Sequence, residues 1–157
     1  MSLDHERAVV EQAHLAWGES DLEGFLACLT EDVVYAVNVD GLQVPYAAST
    51  AGKQPLRERL TLLLNTFEIQ AFVIQGLAHD ADCIRTSVLG FYKHKKTGER
   101  LDVRLRFVTY VASSLITRIE EYHDAAYVEA FQRFVAYLEA AAEDDAQSAR
   151  NSSDPSP

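Results

Sequence analysis

A chain of 157 residues, 48% hydrophobic and 24% charged, has the length of one ordinary domain, able to bury roughly two thirds of its unfolded surface. Fourteen basic against twenty-four acidic residues leave a net charge of −10, which argues against nucleic acid or an anionic membrane as the main partner. No apolar run approaches the roughly 20 residues of a spanning helix, the residues from Met1 to Arg7 lack the order of a secretory leader, and Cys28 and Cys83 have no C-x-x-C spacing, so the expectation is a cytoplasmic protein with free, buried thiols.

Val9, Val10, Ala13, Ala16 and Trp17 form a helical stripe over residues 4–18, and Ser20 to Glu23 has capping-box spacing ahead of Phe25, Leu26 and Leu29. Alternation from Val33 to Val39 predicts a strand, which Asp40-Gly41 and Pro45 end in a long loop. Pro55 opens a third helix, whose apolar side carries Leu56, Leu60, Leu63, Leu64 and Phe67. From residue 68 the period changes to two, and strands are predicted near 69–78, 82–94, 99–111 and 115–123 with short polar connections. Helices first and a meander afterwards predict an α+β fold, since parallel βαβ units need a helix between each pair of strands. Asp124 is placed to cap a last helix with Val128, Phe131, Phe134, Val135 and Leu138 facing the body. Residues 1–142 are thus expected to form a single domain, and the polar residues 143–157 a disordered acidic tail.

The chain has no G-x-G-x-x-G, no phosphate-binding loop, no nucleophile elbow and no H-E-x-x-H. Its histidines, at positions 5, 14, 79, 94 and 123, never fall at metal-ligand spacing, so no metal site is predicted. Lys93-His94-Lys95-Lys96 reads as a solvated hairpin tip.

The last hairpin carries more information, because its register decides which polar groups share a face with the apolar ones. A two-residue loop at Ser113-Ser114 would set Phe107 opposite Glu120 and Arg106 opposite Glu121. A three-residue loop, Ala112 to Ser114, pairs Phe107 with Ile119 and Arg106 with Glu120. The second is expected, because it gathers Leu101, Val103, Leu105, Phe107 and Ile119 inside and leaves Arg100, Asp102, Arg104, Arg106, Arg118, Glu120 and Tyr122 outside. Its cost is that no glycine fills the left-handed position such loops favour. On this register Glu121 and His123 point inward at the end of an apolar wall, where a carboxylate and an imidazole can exchange protons with a bound molecule. The competing reading makes His123 a hydrogen-bonded strand-end histidine and Glu121 an ion-pair partner of a basic residue such as Arg85. Trp17, Tyr35, Tyr46 and Phe67 suit either core or pocket wall, with core favoured for Trp17.

Trp17-Gly-Glu-Ser-Asp21-Leu22 with Leu29-Thr-Glu-Asp-Val33, then Tyr35 to Gly41 with Pro45-Tyr-Ala47 and Gly52, and Ile116 to Asp124 reading I-T-R-I-E-E-Y-H-D, together resemble the nuclear transport factor 2-like superfamily in its bacterial SnoaL-like and ketosteroid-isomerase-like branch. The resemblance covers about residues 5–138. It implies a cone: a curved antiparallel sheet wrapped around N-terminal helices, with a C-terminal helix, a ligand pocket at the open end and often a dimer through the outer face. The isomerase's catalytic residues are not implied here. By alignment its general base falls at Val37 and its oxyanion tyrosine at Ala13, its other acid falls where no Asp stands, and the histidine frequent in this branch is replaced by Phe107.

Two functions follow from the sequence. One is a cofactor-free proton-transfer enzyme of isomerase, cyclase or hydratase type on a small apolar or carbonyl-containing molecule. In it His123 and Glu121 are catalytic, and Trp17, Tyr35, Val37, Tyr46, Phe67, Phe107 and Ile119 hold the ligand. The other is a non-catalytic small-ligand binder on the same scaffold. They are distinguished by whether Glu121, His123 and a tyrosine converge within hydrogen-bond reach in one pocket. A homodimer is expected in both.

Overall fold

The computed structural model describes residues 3–37, 48–123 and 125–152, with side chains for all of these except 125–129, 131, 132 and 152. Helix α1 (Leu3–Gly18) buries Val9, Val10, Ala13, Ala16 and Trp17, the stripe seen in the sequence, together with His14. Helix α2 (Leu22–Leu26) is capped by Asp21, whose side chain accepts from the Gly24 backbone N–H at 2.9 Å. Ser20, the expected first member of the capping box, instead turns the chain at a φ of 59°.

Strand β1 (Leu29–Val37) and the short β2 (Thr50–Ala51) precede α3 (Lys53–Thr66), which buries Leu56, Arg59 and Leu60. Phe67, expected in this helix, is the first residue of β3 (Phe67–Asp80). It remains buried, because the turn from helix to strand keeps its ring against the same core. Strands β4 (Cys83–His94), β5 (Arg100–Ala112) and β6 (Leu115–Tyr122) complete the meander.

The six-stranded sheet has the order β2-β1-β6-β5-β4-β3. It is mixed, where a purely antiparallel sheet was expected: β1 runs parallel to β6, with Tyr35 beside Ile119 and Val37 beside Glu121. Two elements, β2 and α3, separate β1 from the meander in sequence, so β1 pairs with the free edge of β6 without the constraint of a hairpin. Helices α1 and α3 lie against the curled sheet, and the core is the volume between them.

Helix α4 (Ala125–Ser152) seats Val135 and Leu138 in the body. The Thr97 backbone N–H donates to His94 Nδ1, which leaves Nε2 to donate to Glu139 of α4 at 3.2 Å, and Lys96 Nζ reaches the other carboxylate oxygen at 2.8 Å. The helix continues to Ser152. Extending an anchored helix adds one hydrogen bond per residue without a new nucleus, and Ala, Glu, Gln and Arg propagate it well. Residues 143–151 are nevertheless exposed. Deleting residues 143–157 is therefore expected to shift the melting temperature by less than about 2 °C; calorimetry of the truncated chain checks this, and a larger drop would mean that this stretch supports the body.

Candidate functional site

The hairpin from β5 to β6 decides what faces the interior. Its loop is the two-residue turn Ser113-Ser114, with Ala112 paired to Leu115 and Val111 to Ile116, and not the expected three-residue loop. Both serines take left-handed φ angles, 52° and 70°, as a twist-matched two-residue hairpin turn requires. A bulge at Thr117 then shifts the register by one residue, so that Arg106 meets Tyr122, Phe107 meets Glu121 and Thr109 meets Ile119. Without the bulge Glu121 would face solvent with the arginines. With it, the inward face carries Leu105, Phe107, Ile119 and Glu121 while Arg104 and Arg106 stay exposed, as the alternation predicts.

These residues line a cavity of about 50 Å³ between the sheet, α1 and α3, room for a few water molecules or a fragment of similar size. Its apolar wall includes Trp17, Phe25, Leu60, Leu63, Leu105 and Phe107. The polar groups lie at two places. At the first, Tyr35 Oη donates to Glu121 Oε1 at 2.7 Å, and His123 Nε2 lies 2.9 Å from Oε2 of the same carboxylate. Arg59 of α3 stacks its guanidinium 4.3 Å from the centre of the Tyr35 ring and donates from one terminal nitrogen to the Ala48 carbonyl at 2.7 Å. At the second, His14 shares a 3.1 Å hydrogen bond with Thr86, and Trp17 Nε1 donates to Tyr92 Oη at 3.2 Å.

Burial fixes the charge states. Desolvation opposes ionisation of Glu121, yet the hydrogen bond from His123, the positive charge of Arg59 and the Tyr35 hydroxyl together hold its carboxyl below the ordinary 4.5. It is a carboxylate at neutral pH. Desolvation, followed by the adjacent Glu121 charge, pushes the Tyr35 phenol well above its ordinary 10, so it stays a neutral donor. Desolvation lowers His14 from 6.5 to about 4. Its ring packs as a neutral group, with centroids 5.2 Å from Phe107 and 5.7 Å from Phe72.

Of the residues singled out in the sequence, Trp17, Tyr35, Phe107, Ile119 and Glu121 line this cavity. His123 does not; it sits behind Glu121. Val37 is buried beside Glu121 in the ladder but does not reach the cavity wall. Phe67 is core, edge-on to His94 at 5.4 Å and to Tyr92 at 6.2 Å. Tyr46 lies outside the described residues. Arg85, offered as an ion-pair partner for Glu121, pairs instead with Asp80 at 3.0 Å.

Sequence reasoning missed Arg59, His14, Phe72 and Tyr92 on the wall. Arg59 and His14 had a signal: each interrupts an apolar helical stripe, at Leu56-x-x-Arg59-Leu60-x-x-Leu63 and at Val10-x-x-x-His14-x-x-Trp17. Phe72 and Tyr92 depend on the sheet register, and on Gly90 between them. A Cβ added at Gly90 would stand 2.7 Å from Tyr92 Cε2 and 3.5 Å from Phe72 Cδ2. Gly90→Ala is thus expected to displace the Tyr92 ring and break its bond with Trp17, which a change in tryptophan fluorescence would report; an unchanged spectrum would count against this packing.

Solved structures place this architecture. A protein from Burkholderia pseudomallei described as NTF2-like and of unknown function superposes with a TM-score of 0.68 at 18% identity, over 81% of this chain and 95% of that one. The chain has the NTF2-like fold. A Catenulispora acidiphila protein with a ketosteroid isomerase-like fold, solved in complex with trimethylamine, matches with a TM-score of 0.63 at 13% identity, over 76% and 88% of the two chains. A computationally designed 17-OHP binder matches with a TM-score of 0.67 at 17% identity, over 78% and 95%. No protein-family model and no curated protein sequence matches. At these identities the likeness to the NTF2-like structures is one of fold, and chemistry has to be argued from the cavity.

Proposed function

We propose that this NTF2-like protein is a cofactor-free proton-transfer enzyme acting on a small apolar molecule that carries a carbonyl group, with Glu121 as the base. The observation that carries this reading is the placement of Glu121: an ionised carboxylate on the wall of a largely apolar cavity, oriented through Oε1 by Tyr35 and through Oε2 by His123. A carboxylate so held cannot rotate away from a bound molecule. Glu121 faces the ligand, and His123 is a positioning residue behind it.

The alternative, a binder without chemistry, has the support of fold neighbours such as the designed 17-OHP binder. Against it stands the buried carboxylate, since a charge placed in an apolar cavity costs stability that a purely apolar ligand would not repay. The deciding experiment is solvent deuterium exchange. The protein is expected to speed incorporation of deuterium at the α-carbons of butan-2-one, read by proton NMR, above the buffer rate. Exchange no faster than buffer would favour the binder.

Assembly as a homodimer through the outer face of the sheet fits the same reading. There the partly exposed Leu89, Phe91 and Tyr110 lie among Arg104, Arg106 and Tyr122, a mixture of apolar and charged groups that a twofold can match. Sedimentation equilibrium is expected to give twice the 17.5 kDa chain mass; a single-chain mass at micromolar concentration would refute the dimer.

A further inference from the structure

The side chain of Arg59 is only 5% exposed and lines the cavity, yet its Nε carries no hydrogen-bond partner. A buried N–H without an acceptor is costly, and more so in a charged group. The Ala48 carbonyl and the Tyr35 ring occupy other parts of the guanidinium and fix its plane. Glu121 faces the same cavity, but none of its oxygens lies within the 4.0 Å of a salt bridge to Arg59. Base and cation thus face one space without touching.

We infer that Arg59 is the residue that binds the substrate's oxygen: the carbonyl accepts from its guanidinium while the neighbouring C–H faces Glu121. This rests on the proton-transfer reading and extends it to specificity. The step conserves charge inside the cavity. Before transfer Arg59 is positive and Glu121 negative. The C–H bond breaks, its proton goes to a Glu121 oxygen, and its electron pair moves into the new carbon–carbon double bond as the carbonyl π pair shifts onto oxygen. The negative charge has then moved from Glu121 to the oxygen that Arg59 holds, and the net charge is zero throughout. Return of the proton from Glu121 to the same α-carbon, as the carbonyl re-forms, restores both the ketone and the base. A ligand that arrives already anionic would bring a second negative charge beside Glu121, so the pair selects neutral acceptors over carboxylates.

Three probes of equal heavy-atom count separate the possibilities: butan-2-one, its hydrocarbon counterpart 2-methylbut-1-ene, and propionate, each titrated by NMR into the whole protein. Butan-2-one is expected to bind the wild type more tightly than either of the others. Arg59→Met should weaken it by about tenfold, the loss of a charge-assisted hydrogen bond, while 2-methylbut-1-ene changes by less than about twofold. Propionate binding most tightly, ketone affinity unchanged in Arg59→Met, or no ketone binding up to about 50 mM, generous for so small a ligand, would each overturn the assignment. Should Arg59→Met fail to fold, the wild-type ranking of the three probes decides. Arg59-dependent ketone binding without deuterium exchange would uphold the docking role and overturn the proton-transfer reading alone. Exchange that persists undiminished in Arg59→Met would do the reverse.

Discussion

Glu121→Gln is expected to slow deuterium exchange into butan-2-one by about 10²–10⁴-fold, the usual contribution of a positioned base. The amide keeps an oxygen for the Tyr35 hydroxyl but cannot take up the proton, and it presents no charge to Arg59. That second effect lowers stability, since Arg59 is then a buried cation without its counter-charge; rates are therefore compared per folded molecule. Glu121→Asp retains the charge but withdraws the carboxylate by one methylene, and is expected to recover part of the rate. His123→Gln, which acts through the Glu121 carboxylate, should lower the turnover rate with little change in ketone affinity and shift the acid limb of the pH profile upward, because a hydrogen bond that favours the ionised form is weakened. Equal exchange rates in wild type and Glu121→Gln would remove Glu121 from the chemistry.

The second large effect is acid destabilisation through His14. Its folded pKa, about 4, lies below the ordinary 6.5 because burial disfavours the charged ring. The unfolded chain therefore binds the proton that the folded chain refuses. This contribution to stability is fully present above pH 6.5 and is lost as pH falls from 6.5 toward about 4. At about 1.4 kcal/mol per unit, the loss over that window is about 3 kcal/mol. Urea unfolding of wild type and His14→Gln at a series of pH values checks it. Gln keeps a polar partner for Thr86 and should flatten the slope between pH 6.5 and 4, with the contributions of the other histidines cancelling in the difference. Parallel curves would mean that His14 does not sit neutral in the core. Glu121 acts in a separate window: its depressed pKa supplies stability above pH 4.5 that is lost as pH falls through its lowered folded value.

How far the sequence led is clearest in the last hairpin. Alternation of Leu101, Val103, Leu105 and Phe107 against Arg100, Asp102, Arg104 and Arg106 was enough to assign faces, because hydrophobic burial outweighs turn preference in setting register. It correctly put Glu121 on the Phe107 face. The means was not legible: Ser113 and Ser114 both adopt left-handed angles that glycine or asparagine would signal, and the Thr117 bulge carries no sequence mark. The fold was accessible from the order of elements and the extended resemblance, apart from the parallel contact of β1 with β6, which no local pattern encodes. The cavity was legible only in part. Tyr35 and Glu121 lie 86 residues apart in sequence and His14 and Thr86 lie 72 apart, so their meeting depends on tertiary packing and not on spacing. Arg59 sits between Leu56 and Leu60 on the buried side of α3, where an arginine reads as a solvated neighbour unless the whole face is known to be covered.

Carbon-13 NMR titration of the Glu121 carboxyl tests the central claim, an ionised carboxylate held ready on the cavity wall, without needing a substrate. With the side chain labelled and assigned through Glu121→Gln, its resonance is expected to titrate below pH 4.5, and to move upward in pH in Arg59→Met and in His123→Gln as each supporting interaction is removed. A midpoint above the ordinary 4.5 in the wild type would mean that burial prevails over those partners, and would contradict the account.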